Sequence, residues 1–254
     1  MYDDFSEDYD RFVNWAGRLA YELPFLEANL AQVAPVGAIL DSACGTGMHA
    51  IALAQKGYAT AGADLSPKMV ERARSNAGQA GVRVRFEAAG FGEMETTFGP
   101  RSFNALLCLG NSLPHLLSEV ELTRAMSDFA ACLNPGGLLV LQNRNFDAVM
   151  KRRERWMEPQ SYREGEREWL FLRFYDYEDN GLISFNILTL RREGNKGWEQ
   201  RVMTTPLRPL LQEETVRLLG EAGFDEVASY GDMSGSSFNP ETSGNLVVVA
   251  RLAA

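Results

Sequence analysis

The chain has 254 residues, 45% of them hydrophobic, which suits one or two domains at about 150 residues each and allows a sizeable core. Its 25 Lys and Arg against 34 Asp and Glu leave a formal charge of −9, so a nucleic-acid backbone, itself a dense line of negative charge, is a poor default partner. Cys44, Cys108 and Cys132 lie in apolar stretches without C-x-x-C spacing, which argues against a disulfide framework or a metal site and for a reducing cytoplasm.

In chain order, residues 1–35 read as an acidic, aromatic-bearing helical leader. Its first ten residues lack the basic segment and apolar core of a signal peptide, and no later apolar run approaches the roughly 18 residues of a membrane span. Apolar β-type runs and helical patterns then alternate, the signature of an α/β parallel sheet. The predicted strands are 36–40, 59–63, 82–86, 103–109 and 138–141. Between the last two, Leu122, Ala125, Met126, Phe129, Ala130 and Leu133 form one helical stripe that stops at Asn134-Pro-Gly-Gly137. After residue 150 a basic stretch, Lys151 to Arg155, precedes three strand-like runs near 169–177, 182–192 and 198–205. Asn180-Gly181 signals a hairpin between the first two, so these runs read as an antiparallel insertion. A helix over 212–222 and two strands, 224–230 and 246–252, close the chain. The predicted organisation is a leader (1–35), a Rossmann-like core (36–150 and 206–254) and an inserted antiparallel lid (151–205).

The densest signal is Asp41-Ser-Ala-Cys-Gly-Thr-Gly47, where the first strand turns into its helix. Gly45 and Gly47 would let backbone approach a ligand, and the helix N-terminus offers free N–H donors. Asp64 ends the second strand, where a carboxylate can accept both hydroxyls of a ribose. Plainer readings stand beside these: a tight turn for the glycines, a helix cap for Asp64 before Ser66-Pro67, and a small buried hydrophobe for Cys44. Gly45-x-Gly47-x-x-Ala50 also fits the dinucleotide fingerprint, which leaves a nicotinamide-dependent dehydrogenase as an alternative. Asp41 argues the other way, because an acid there would repel a pyrophosphate but attract the ammonium of a methionine moiety. The loop favours S-adenosylmethionine.

Asp41 to Gly47, then Gly62-Ala-Asp64-Leu65-Ser66 with Met69 and Ala73, then Leu133-Asn-Pro-Gly-Gly-Leu138, resemble the successive motifs of class I S-adenosylmethionine-dependent methyltransferases. The resemblance covers roughly residues 36–142 and implies a seven-stranded sheet closed by a C-terminal antiparallel hairpin. Cys108 to Leu116 and Asn143-Arg-Asn-Phe-Asp147 further resemble glycine N-methyltransferase and its glycine/sarcosine relatives. Carried over by position, the resemblance implies Ala43, Asp64, Gly90, Phe91, Leu109 and His115 at the cofactor, and Asn111 and Arg144 at the substrate. At Gly90 the family has a side chain that bonds the adenine amine, so adenine recognition here would rest on backbone groups and on packing by Phe91 and Leu65. Thr204-Thr205 stand where the glycine enzyme has a tyrosine pair.

The implied function is methyl transfer to a small molecule, most simply to the nitrogen of a small amine or amino acid. An oxygen acceptor on an acid or phenol, and a cofactor binder without catalysis, stand as alternatives. Such a displacement needs positioning more than covalent help. Asn111 could accept an amine proton or simply pin its loop, and His115 could serve the site or bond a carbonyl. Arg144 could grip a substrate carboxylate or pair with Asp147. Tyr9 and Trp15 would fold over the cofactor, unless Asp8-Tyr9-Asp10 is an exposed helix start. His49 is expected at the surface. Phe171, Phe174, Tyr175, Tyr177 and Phe185 supply aromatic surface that could wall an acceptor pocket.

Overall fold

A computed structural model describes residues 9–33 and 37–254. A long leader helix, α1 (Trp15–Leu30), precedes β1 (Ala38–Asp41). Then follow α2 (Met48–Gln55), β2 (Ala59–Asp64), α3 (Pro67–Ala80), β3 (Arg85–Ala88), α4 (Met94–Phe98), β4 (Phe103–Cys108), a 3-10 turn (Leu113–His115), α5 (Glu119–Cys132) and β5 (Leu133–Arg144). A short α6 (Phe146–Arg152) leads into β6 (Gln160–Glu164), β7 (Arg167–Tyr177), β8 (Ile183–Glu193) and β9 (Glu199–Leu207). The chain ends with α7 (Gln212–Glu221), β10 (Phe224–Tyr230) and β11 (Asn245–Leu252).

Seven strands form one sheet in the order β10-β11-β5-β4-β1-β2-β3. β1 to β5 run parallel, whereas β11 is antiparallel to both β5 and β10. The strand order reverses direction at β1, so successive crossovers diverge between β1 and β4. That divergence opens a crevice beyond the carboxyl ends of the strands, where open α/β sheets bind ligands. Two apolar layers hold the helices. Leu122, Ala125, Met126 and Phe129 of α5 pack on Leu106 and Leu139, while Leu26 and Leu30 of α1 pack on Leu107, Val140 and Val247 from the other face.

β6 to β9 form a separate four-stranded antiparallel sheet over the crevice, in the predicted inserted position. Its Asn180-Gly181 hairpin exists, with Tyr177 opposite Ile183, but only Gly181 is left-handed (φ 82°). The connection is therefore a longer loop than the two-residue turn.

Several expectations shift. Val82 and Val84 are not in β3, which starts at Arg85; they pack as partly buried side chains near α3, after Gly81 has ended that helix in a left-handed conformation. Leu133 leaves the α5 stripe and opens β5. β6 is an addition, invisible to a reading by apolar alternation because its residues are polar and mostly exposed. The predicted 36–40 strand falls partly on residues outside the described ones, as does Asp8. Among the described residues no helix is long and apolar enough to cross a membrane.

Candidate active site

The glycine turn is built by backbone bonds between neighbouring strands. Ser42 Oγ donates to the Leu107 carbonyl at 3.0 Å, and the Cys44 N–H donates to the Ala63 carbonyl at 2.8 Å. Gly45 N–H donates to Asp64 Oδ2 and Ser66 N–H to Asp64 Oδ1, both at 2.9 Å. Ser66 caps α3, its Oγ accepting the Met69 N–H. Asp64 therefore braces the turn and the capping residue while also lining the crevice, and the helix cap itself is Ser66 rather than Asp64. Gly47 begins α2 at φ 82°, where a Cβ would lie 2.7 Å from the Phe86 ring. Only glycine lets this helix pack so close to β3.

The crevice is a cavity of about 580 Å³, within the range of small-molecule sites. Tyr9, Ala43, Gly45, Asp64, Leu65, Met69, Gly90, Phe91, Asn111, His115 and Arg144 all line it. Leu65 is 77% exposed and forms its rim. Asp41, Gly47 and Leu109 do not line it. Asp41 lies behind the wall, Gly47 serves helix packing, and alternation along β4 sends Leu109 into the core with Leu107. Trp15 also misses the wall, its ring standing edge-on to His49 at 5.6 Å. Leader residue Asp10 fastens Tyr9's segment by accepting from Thr46 Oγ1 at 2.6 Å and from Arg72 at 3.1 Å.

His49 is a correction: it is buried, at 4% exposure, with Nε2 2.6 Å from Glu22 Oε2. Glu22 also meets Arg18 at 3.0 Å and accepts from Gln142 Nε2 at 3.0 Å. Gln142 Oε1 in turn takes bonds from Arg18 and from the Gly110 N–H. Burial alone would raise the Glu22 carboxyl, but hydrogen bonds from His49 and the Arg18 charge hold it below its usual value. Arg18, Glu22 and Gln142 line the cavity and were missed by the sequence reading. The available signal was the Arg18–Glu22 spacing of four on a helix.

Asp41 shows what the site costs. Oδ2 is buried without a hydrogen-bond partner, and burial raises its pKa to about 6, with Asp64 adding to the shift and His49 and Arg18 opposing it. Burial likewise lowers His115 to about 4 and raises Cys108 to about 12, with Cys44 well above its usual value. These thiols are inert core groups and His115 is a weak base.

On the β5 side, Asn111 is left-handed (φ 68°), and its Oδ1 accepts the Arg144 backbone N–H at 2.9 Å. That bond pins the loop and occupies one of the oxygen's two lone pairs. Arg144 does not pair with Asp147, whose Oδ2 accepts the Gln212 N–H; its nearest acid is Glu154 at 3.7 Å, and its Nε is buried and unpartnered. The second sheet adds Arg173, Tyr175, Phe185 and Ile187 to the wall. Of the other predicted aromatics, Phe171 packs on Phe12, Phe174 stacks with Trp156, and the Tyr177 hydroxyl donates to the Val149 and Glu154 carbonyls. The basic stretch is a solvated face in which Lys151 pairs with Glu241 and Arg155 with Asp176.

Do these residues fit an adenosyl cofactor? Backbone passes close to the cavity at Gly45 (φ 53°), where a Cβ would lie 3.5 Å from the Tyr9 ring. A buried acid with one unpartnered oxygen stands behind it, and a second acid ends β2 at the wall. With the wound sheet and its antiparallel closing pair, this defines the S-adenosylmethionine-dependent methyltransferase class. The comparisons agree. A model described as "Methyltransferase domain" matches residues 39–137. A glycine/sarcosine N-methyltransferase of Halorhodospira halochloris is 30% identical over 231 residues, covering 91% of this chain and 81% of that protein. One from Parasynechococcus marenigrum is 28% identical over 254 residues, covering 94% and 80%. A crystal structure of an S-adenosylmethionine-dependent methyltransferase from Clostridium acetobutylicum superposes with a TM-score of 0.80 at 17% identity, over 100% of this chain and 99% of that one. The chain belongs to the class I S-adenosylmethionine-dependent methyltransferases, and its cofactor is S-adenosylmethionine. The dehydrogenase alternative falls with that assignment.

Proposed function

We propose that the protein methylates the nitrogen of a small carboxylate-bearing amine, an amino acid as in the glycine/sarcosine enzymes. The observation that carries this reading is Arg144, a guanidinium on the cavity wall with a buried, unpartnered Nε. A planar fork in that state suits a carboxylate. The names of the relatives, glycine/sarcosine N-methyltransferases, support the same acceptor class.

S-Adenosylmethionine, when bound, supplies a methyl group already activated on a sulfonium. The chain's part is binding, positioning and exclusion of water. Asp64 would accept ribose hydroxyls with its remaining lone pairs, and Arg18 would meet the methionine carboxylate. Asp41 would attract the ammonium from behind the wall, and Leu65, Met69 and Phe91 would pack the adenine. Glu93 lines the cavity near Gly90 and accepts its N–H at 2.8 Å, so a carboxylate is at hand where Gly90 has no side chain. Tyr175, raised to about 12 by burial against the opposing pull of Arg144 and Arg173, and His115 at about 4 are poor proton acceptors at neutral pH. The attacking amine would give up its proton to bulk water before transfer, since desolvation and the Arg144 and Arg173 charges on the wall disfavour the ammonium. Three free, buried cysteines support a cytoplasmic setting.

The test is transfer of labelled methyl to an amino acid and to its matching amide, by the wild-type chain, Arg144→Lys and Arg144→Ala. Lysine keeps the charge but loses the fork, so both variants should cut turnover of the acid by tenfold or more, and of the amide far less. Equal proportional losses on the two acceptors would refute the carboxylate clamp, and exclusive labelling of phenols would refute the nitrogen acceptor.

A further inference from the structure

The acceptor end holds a second guanidinium. In β7 (Arg167–Tyr177) alternate residues share one face, and Trp169, Phe171 and Tyr175 on that face are all buried. Arg173 stands in the middle of this inward row. It lines the cavity, its guanidinium lies 4.9 Å over the Phe12 ring, and its Nε is buried with no hydrogen-bond partner. Among the described residues no carboxylate pairs with it. An arginine in an inward aromatic row is an expensive placement unless an anion meets it.

Arg144 lines the same cavity with the same unpartnered Nε, and among the described residues it pairs at long range with Glu154, 3.7 Å away. Burial first, and then the Arg144 charge, lower the pKa of Arg173, as expected for two cations sharing one pocket. The acids on the cavity wall are already engaged elsewhere. Glu22 is held by His49 and Arg18, Asp64 by the Gly45 and Ser66 N–H groups, and Glu93 by the Gly90 N–H. Glu154 is 44% exposed and stands outside the lining, so on the cavity wall itself one carboxylate faces two guanidiniums and leaves an excess of positive charge.

We propose that the acceptor carries a second acidic group, held by Arg173 while Arg144 grips the first, so that the substrate class is an amino acid with an additional carboxylate or phosphoryl group. This rests on the reading of Arg144 as an acceptor clamp. The ring of Phe12 backs the Arg173 guanidinium from the leader, so the second anion would be enclosed between the leader and the inserted sheet. A monocarboxylate would satisfy one fork and leave the other desolvated, which gives the pocket a means of selection.

Calorimetry in the presence of saturating S-adenosylhomocysteine tests this, with glycine, alanine, aspartate and O-phosphoserine as probes. Aspartate or O-phosphoserine should bind at least tenfold tighter than alanine, and whichever binds tighter identifies the second group. Arg173→Gln should remove that advantage and change glycine and alanine binding by less than threefold, whereas Arg173→Lys should keep part of it. S-Adenosylhomocysteine affinity serves as the folding control for each variant. Equal weakening of all four probes by Arg173→Gln would mean that both arginines share one carboxylate, and it would overturn the proposal, as would no preference in the wild-type chain. An Arg144→Ala variant separates the two claims. If it leaves all binding intact while Arg173→Gln still discriminates, the clamp reading fails and the second-anion site survives.

Discussion

Asp41→Asn should make the protein more stable and its cofactor binding weaker. The ordinary Asp value of 3.8 rises to about 6 in the folded chain, chiefly through burial. At about 1.4 kcal/mol per pH unit, keeping this carboxylate ionised near neutrality costs about 3 kcal/mol. Asparagine removes the charge and keeps an oxygen to accept the Ala43 N–H, a bond that Asp41 makes. Its amide would bury a donor where Oδ2 has no partner, which offsets about 1 kcal/mol and leaves a net gain of about 2 kcal/mol.

The sign of the pH dependence follows from the direction of the shift. A carboxyl with a raised folded-state pKa favours the folded chain below its unfolded value, and that contribution is lost as pH rises through the folded value. The cost to the wild-type chain is thus complete above about pH 7, about half as large near pH 5, and absent well below 3.8. Urea unfolding of both proteins at about pH 7.5 and about pH 5 reads the difference. A gain from Asn that shrinks toward acid supports a buried charge; a gain independent of pH, or a loss at pH 7.5, would refute it. Calorimetry on the same pair should find weaker S-adenosylmethionine binding in the variant, since the ammonium loses its counter-charge.

Asp64→Ala should weaken S-adenosylmethionine binding by about 1.5–3 kcal/mol, the scale of a hydrogen bond to a charged group. Because Gly45 and Ser66 lose their acceptor, the melting temperature should fall as well; unchanged affinity would remove Asp64 from the ribose site. Gly47→Ala should lower stability by about 1–3 kcal/mol from overpacking, since its Cβ would meet Phe86 at 2.7 Å and Ala73 at 2.9 Å at a φ of 82°. A variant as stable as wild type would show that α2 can shift away from β3.

The parts of the site that were legible in the sequence are those made by turns directly after strands. Asp41 to Gly47 and Asp64 to Ser66 follow β1 and β2, and each carries its conformational requirement in its own residues, a left-handed glycine or a capping serine. The α5 stripe was legible for a similar reason, because a period of 3.6 fixes which side chains face the sheet. His49 carried no such local signal. Its neighbours Ala50, Ile51 and Leu53 are buried on α2, and whether position 49 meets solvent or a partner depends on α1, folded against it from a distant part of the chain. A carboxylate at Glu22 turns what would be an exposed imidazole into a buried, bonded one. The loop-pinning bond of Asn111 carried no local signal either, since its donor belongs to the end of β5, 33 residues on.

The wall given by the second sheet was harder to read, and strand periodicity gives the reason. Alternation says that Trp169, Phe171, Arg173, Tyr175 and Tyr177 share one face of β7, but Phe174 on the opposite face is aromatic too. Neither face therefore declares itself as the inner one by composition. The tie is broken by tertiary partners. Trp156 bridges to Phe174 and stacks on it at 5.0 Å outside the pocket, while Phe12 of the leader packs on Phe171 and beneath Arg173 inside it. Once the face is settled, the arginine among inward aromatics changes meaning, from a solvated strand residue to a cation on the cavity wall with a buried Nε. The wall beside β1 and β2 is thus written in local turns, whereas the wall given by the second sheet is written in which of its faces the leader covers.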